Sequence, residues 1–146
     1  MNNDLTAVKG IKVGHADDQE KGTGCTVVLT EGNFTIGAEI SGGAPGSREL
    51  ALTDSRAAVD KANAVFLSGG SAFGLDAAGG VMKYLREKNI GFQTGGGVVP
   101  IVPAAVIYDL EYKSNQYPDQ EMAYQACSNA SSSAQPNKSI GAAAGS

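Results

Sequence analysis

The turn formed by Gly69, Gly70 and Ser71 is the first place where residue types and spacing could do chemistry. A Gly-x-Ser-x-Gly elbow would expose a nucleophilic serine, but here the glycine after Ser71 comes one residue late, at Gly74. The turn also lacks the Gly-x-Gly-x-x-Gly of a dinucleotide site and the Gly-Lys-Ser/Thr of a phosphate loop. It is therefore interpreted either as a tight packing turn between a strand and a helix or as part of a site.

Tyr108 closes an apolar segment, residues 98–107, that Pro100 and Pro103 stiffen. Because proline cannot donate to a sheet ladder, we expect no regular central strand there and interpret the segment as the wall of a pocket. A tyrosine at its end places a hydroxyl where it could donate to a developing negative charge. On the residues alone, the simpler interpretation is an amphipathic tyrosine with its ring in the core and its oxygen in water.

His15 is the only histidine, so a metal site with several histidines has no second ligand of that type, and a Ser-His-Asp triad could use only this imidazole. We interpret it as a residue at a strand end whose ring is satisfied by backbone groups. Cys25 and Cys127 are expected to be separate buried thiols. We predict no metal site and no cofactor.

The elements around the turn are predicted from hydrophobic spacing. Residues 64–67 form a short apolar run, which is typical of a buried strand. Beyond the glycines, with Ser71 as the expected helix cap, apolar residues recur at the spacing of one helix face: Leu75, Ala78, Met82 and Leu85. Each glycine costs a helix interior about 1 kcal/mol, so Gly79 and Gly80 indicate a close approach to a neighbouring element.

Other elements lie on either side of this unit. Residues 25–30 and 34–40 are predicted to be an antiparallel pair of strands joined by a hairpin turn at residues 31–33. A weak helical pattern covers residues 50–62. Another helix is predicted to begin at Pro118, because proline and acidic residues suit a first turn.

The composition describes one domain, residues 1–146, with enough chain to bury a sizeable core. Its 20 glycines are roughly twice the average usage and indicate many tight turns. A net charge of −4 without a basic run argues against nucleic acid as a partner. The sequence has neither an apolar run long enough to span a membrane nor the pattern of a signal peptide, so we expect a cytoplasmic protein with no membrane partner.

Five blocks in order resemble the family of L-aminopeptidases/D-esterases, which includes the β-peptidyl aminopeptidases and a nylon-oligomer hydrolase. They cover nearly the whole chain: residues 13–15 (VGH), 22–29 (GTGCTVVL), 42–49 (GGAPGSRE), 67–77 (LSGGSAFGLDA) and 102–110 (VPAAVIYDL). The resemblance implies an α/β (α+β) fold. This is an αββα four-layer sandwich like that of the N-terminal-nucleophile hydrolases, with a different connectivity and incomplete in this chain.

The resemblance also implies a self-processing hydrolase. Such a precursor cuts itself before a serine or threonine, whose freed α-amino group and hydroxyl then act as base and nucleophile. Tyr108 matches the family's active-site tyrosine, and Gly69, Gly70 and Ser71 match a loop near the substrate cleft. The implied substrates are short peptides or amino-acid amides, possibly esters. Members generally assemble as oligomers of the cleaved heterodimer.

The sequence departs from the family pattern at its end. The family's active-site lysine, its asparagine and its self-cleavage residue lie further along than residue 146, and Gly145-Ser146 only superficially resembles a cleavage pair. We therefore expect the chain to be the N-terminal part of the larger subunit, inactive alone and dependent on a companion chain that carries the nucleophile. The alternatives are an inactive binding or assembly module and a nucleotide-binding domain that uses the Gly69-Gly70 turn.

Overall fold

A computed structural model describes residues 3–136 and 138–145; Ser146 lies outside the described residues. Its strands are β1 (Ile11–Asp18), β2 (Thr23–Thr35), β3 (Ser47–Arg48), β4 (Lys61–Ser68), β5 (Phe92–Thr94), β6 (Gly97–Val99) and β7 (Ala104–Val106). Its α-helices are α1 (Ala78–Glu87) and α2 (Gln120–Ser128), and shorter 3-10 turns cover Leu5–Ala7, Leu50–Thr53, Ser71–Leu75 and Gly141–Gly145.

Five strands form the main sheet in the order β1-β2-β4-β7-β3. Neighbouring strands are antiparallel except for β4 and β7, which run parallel and pair Phe66 with Ala104. Strands β5 and β6 form a separate antiparallel hairpin. Since β4 and β7 are parallel, their carboxyl ends meet at one edge of the sheet, and the Gly69-Gly70-Ser71 turn and Tyr108 follow these ends directly.

The predicted hairpin at residues 31–33 is wrong, because β2 continues through it. Both halves of β2 pair with β4, Leu29 opposite Ala64 and Phe34 opposite Ala62, with a shift in register between them. An extra stretch of chain in one strand is accommodated as a bulge while the partner strand stays regular. The turn-forming residues therefore bend one long strand without reversing it.

Both helices pack on the same face of the main sheet. In the core, alternate residues of β2 and β4, such as Val27 and Phe66, pack together with Val81 of α1 and Ala126 of α2. A Cβ atom built at Gly80 would overlap the backbone carbonyl oxygen of Gln120 at the start of α2. The close approach predicted from the glycine pair is thus confirmed, and Gln120 is the neighbour that requires it.

Three local predictions are wrong. Ser71 does not cap α1: it begins a 3-10 turn, makes no capping hydrogen bond through its side chain, and α1 starts only at Ala78. Residues 50–62 contain one 3-10 turn, Leu50–Thr53, before β4 begins. The proline-containing segment does contribute an internal strand, β7, because Pro103 precedes it and accepts the Phe66 N–H through its carbonyl.

The two cysteines are free thiols in the core, as predicted. Burial raises the pKa of Cys25 and of Cys127 to about 12 each, so both are protonated near neutral pH. Both thiols therefore behave as small core residues.

No helix in the described part of the chain is long and apolar enough to cross a membrane.

Candidate active site

A buried carboxylate, Asp109, organises the edge of the sheet where β4 and β7 end. Asp109 is only 3% exposed. Its Oδ1 accepts the backbone N–H of Gly70 at 2.6 Å, and its Oδ2 accepts the hydroxyl of Thr23 at 2.8 Å. One side chain thus joins the glycine turn, the start of β2 and the segment after β7, and each oxygen has a donor as burial requires. The sequence interpretation missed this residue.

The turn itself has no backbone donor left for a ligand at its three central residues. Gly69 donates its N–H to the Gly24 carbonyl oxygen at 2.9 Å, and Ser71 donates to the Ile107 carbonyl oxygen at 2.9 Å. The Gly70 N–H is held by Asp109. Phosphate loops depend on free N–H groups aimed at the ligand. The three N–H groups of this turn are therefore not available to a phosphate.

The glycines of the turn are explained by packing. A Cβ atom at Gly69 would overlap Asp109 and lie 2.6 Å from the Thr23 hydroxyl oxygen, and one at Gly70 would overlap the Cβ of Tyr117. Gly70 has φ +85°, a conformation that favours glycine, and Ser71 follows with φ +53°. A role for Gly69, Gly70 and Ser71 in binding substrate stays a prediction.

Tyr108 lies between the two residues that fix this junction. Ile107 donates its N–H to Ser68 and accepts from Ser71, while Asp109 holds Gly70 and Thr23. The Tyr108 side chain is 64% exposed. Glu111 raises the pKa of Tyr108 above the usual tyrosine value, mainly through its negative charge and also by accepting a hydrogen bond from the phenol, so the phenol keeps its proton near neutral pH. Tyr108 is thus an exposed hydrogen-bond donor on an anchored backbone.

Apolar side chains lie at the same edge of the sheet. A cavity of about 220 Å³ is lined by the ends of β4 and β7, including Leu67 and Ile107, together with Ala142 and Ala143 of the last 3-10 turn. Exposed Phe73 stacks on Tyr117, with ring centroids 5.0 Å apart. This partly agrees with the expectation of an apolar pocket wall, but β4 and the last 3-10 turn contribute as well as residues 98–107.

His15 does not belong to this junction. It lies within β1, not at a strand end, and its Nδ1 pairs with the Thr26 hydroxyl at 2.9 Å, not with backbone. Burial lowers its pKa, an effect that the nearby Gln135 side chain and the Asp17 carboxylate partly offset. Thr26 also accepts the Ala142 N–H, so His15 helps to anchor the last 3-10 turn over β2.

Two solved structures show which fold the chain has. A β-aminopeptidase of Burkholderia sp. superposes with a TM-score of 0.75 over 99% of this chain and 43% of its own, at 16% sequence identity. A protein of Pyrococcus horikoshii superposes with a TM-score of 0.71 over 98% and 44%, at 24% identity. The predicted α+β fold is confirmed: the described residues contain a helix layer on one main sheet, in the fold of these longer proteins.

The sequence relatives then give the family. The model of peptidase family S58 matches residues 3–146, and the chain belongs to this family. An uncharacterised aminopeptidase of Mycobacterium leprae is 44% identical over 86% of this chain and 37% of its own length. A 6-aminohexanoate-oligomer endohydrolase of Kocuria sp. is 32% identical over 77% and 30%. The resemblance inferred from the five blocks is confirmed, and the chain spans about a third of these relatives.

Proposed function

We propose that this chain is the N-terminal part of a self-processing aminopeptidase or amidohydrolase that cleaves amide bonds of short peptides or amino-acid amides, possibly ester bonds. Membership of peptidase family S58 supports a hydrolase. The N-terminal serine or threonine nucleophile belongs to a companion chain and not to residues 1–146. An α-amino group, with a pKa near 7.7–8.0 in model peptides, can act as its base close to neutral pH.

The observation that carries the proposal is the anchoring of Tyr108. Asp109 and Ile107 fix the backbone on both sides of it, while its phenol is exposed and protonated. A donor that is already positioned needs no reorganisation when negative charge develops on a carbonyl oxygen. Tyr108 therefore stabilises the oxyanion of the reaction or orients the nucleophile.

In this proposal the glycine turn lies beside Tyr108 at the edge of the substrate cleft. Its three backbone N–H groups already have acceptors within the chain, so Gly69 and Gly70 contribute shape to substrate binding, and Ser71 contributes its hydroxyl. The active assembly is an oligomer of cleaved heterodimers, located in the cytoplasm.

The test is expression of the complete coding sequence, followed by intact-mass analysis and assays with amino-acid p-nitroanilides and amides. We expect two polypeptides, the second beginning with serine or threonine, and hydrolysis that appears as the precursor is cleaved. A single uncleaved chain without amidase activity would instead support the inactive binding or assembly module. Stabilisation by a nucleotide, measured as a rise in melting temperature, would support the nucleotide-binding alternative.

A further inference from the structure

A second cavity lies at the opposite end of β4, far from Tyr108. It has a volume of about 500 Å³ and lies between the end of α1 and strands β1, β2 and β4. This volume is within the range of small-molecule sites. The cavity reaches β4 at Asn63, whereas the glycine turn follows Ser68, about 17 Å along the strand at roughly 3.3 Å per residue.

Asn63 is the polar group that makes this cavity a candidate site. The residue is 6% exposed, and its Oδ1 accepts the Ile101 backbone N–H at 2.9 Å. Because Ile101 N–H can only donate, the oxygen of the amide must face it, and the Nδ2 group must point the other way. Asn63 is thus held in one orientation by β4 and by residue 101.

The Nδ2 group of Asn63 makes no hydrogen bond within the described residues, yet it is not sealed from solvent. The spaces that Asn63 borders are this cavity and a smaller one of about 370 Å³, which adjoins it at Asn63 and Gly91. A ligand that fills the cavity must offer this group an acceptor, because otherwise it would bury the donor unsatisfied. A ligand oxygen in the cavity would supply that acceptor.

The walls indicate the rest of the ligand. Leu29, Leu85 and Ile90 provide an apolar lining. Lys12 and Lys88 carry positive charge at the rim, with Glu31 paired to Lys12. The Lys88 ammonium lies 4.8 Å from the ring centre of Tyr84. Two ammonium groups and one carboxylate give the rim a net charge of +1, which one negative charge on a ligand would balance.

We propose that this cavity binds a small monocarboxylate with an apolar body, whose oxygen accepts hydrogen bonds from Asn63 Nδ2 and whose charge is balanced by Lys88. The site is separate from the Tyr108 junction and does not depend on the proposed hydrolase activity. The carbonyl end of α1, close to Lys88, opposes an anion, so Lys88 is needed to offset it.

The experiment uses the complete protein and hexanoate as the probe, with saturation-transfer NMR to follow binding. We expect saturable hexanoate binding, with hexanol weaker and hexylamine weakest. Asn63→Asp keeps the acceptor for Ile101 but replaces the NH₂ group with an oxygen, so binding should weaken by about tenfold or more. Lys88→Met, an exposed change that leaves the core intact, should weaken it about threefold.

Tyr108→Phe is the matched control, because it alters the other junction and should leave hexanoate binding unchanged. Melting temperatures of all variants are measured so that a misfolded Asn63→Asp is recognised, in which case Lys88→Met decides. Equal hexanoate affinity in wild type and Lys88→Met, tighter binding of hexylamine, or loss of binding only in Tyr108→Phe would each overturn the proposal.

Discussion

At the carboxyl end of β4, buried Asp109 uses both carboxylate oxygens within the chain, whereas at the amino end Asn63 uses its oxygen and leaves its NH₂ group unbonded among the described residues. Both side chains are almost fully buried. Asp109 therefore makes a closed junction that holds an exposed tyrosine in place. Asn63 makes an open one, in which the polar group itself faces a cavity.

A polar group is thus held in two different ways at the two ends of β4. At the closed end, satisfied hydrogen bonds provide rigidity, and the proposed chemistry belongs to the neighbouring residue, Tyr108. At the open end, one hydrogen bond provides orientation, and the NH₂ group is left for the proposed ligand. Each of the variants below changes one of these features.

The largest effect is expected for Tyr108→Phe in the complete, processed protein. Loss of a donor to the oxyanion should lower kcat by about 10²–10³ with little change in stability. Tyr112→Phe, at another exposed tyrosine four positions away, is the control and should stay near wild type. Equal turnover in the two variants, measured with the same p-nitroanilide, would remove the oxyanion role from Tyr108.

The next effect concerns the closed junction itself. Asp109→Ala leaves two buried donors, the Gly70 N–H and the Thr23 hydroxyl, without an acceptor, and should cost about 4 kcal/mol of unfolding free energy. Exposed Asp76→Ala should cost no more than about 0.5 kcal/mol. Urea denaturation measures both. If the two variants are equally stable, the carboxylate does not organise this edge of the sheet.

Gly69→Ala tests whether the turn needs glycine for space. The new Cβ atom would overlap the Asp109 carboxylate, so we expect a loss of about 2 kcal/mol. Gly95→Ala is the matched control, since no atom lies within 4 Å of its built Cβ. A Gly69→Ala protein as stable as Gly95→Ala would show that the junction relaxes easily.

The open end should be less sensitive. Asn63→Ala leaves one donor, the Ile101 N–H, without its side-chain acceptor, so we expect a loss of about 1 kcal/mol, smaller than for Asp109→Ala. The same urea experiment gives both values. A larger loss for Asn63→Ala than for Asp109→Ala would reverse the comparison between the two ends.

The smallest effect is a pH dependence at His15, which lies at neither end. Burial lowers its pKa in the folded protein below the ordinary 6.5, so the unfolded chain binds a proton more readily. The stability contribution is present above about pH 6.5 and is lost as the pH falls through that value toward the folded pKa. His15→Gln should flatten this part of the stability profile, and an unchanged slope would contradict the prediction.

Much of the fold could be predicted locally. The apolar run at residues 64–67 became β4, and Pro118 preceded α2, because these patterns depend on neighbours in the chain. Gly79 and Gly80 correctly indicated a close contact. The failures share one cause: residues 31–33 and Ser71 have turn-forming and capping preferences, but the pairing of β2 with β4 and the hydrogen bond from Ser71 to Ile107 outweighed them.

The sequence by itself determined the family, through motifs that survive as short blocks, and it singled out Tyr108 and the glycine turn. Only the tertiary structure revealed Asp109 and Asn63. Their roles depend on hydrogen bonds to residues 39, 86 and 38 positions away, to Gly70, Thr23 and Ile101. No local pattern encodes which buried polar atom finds a partner, because that is decided when distant segments meet.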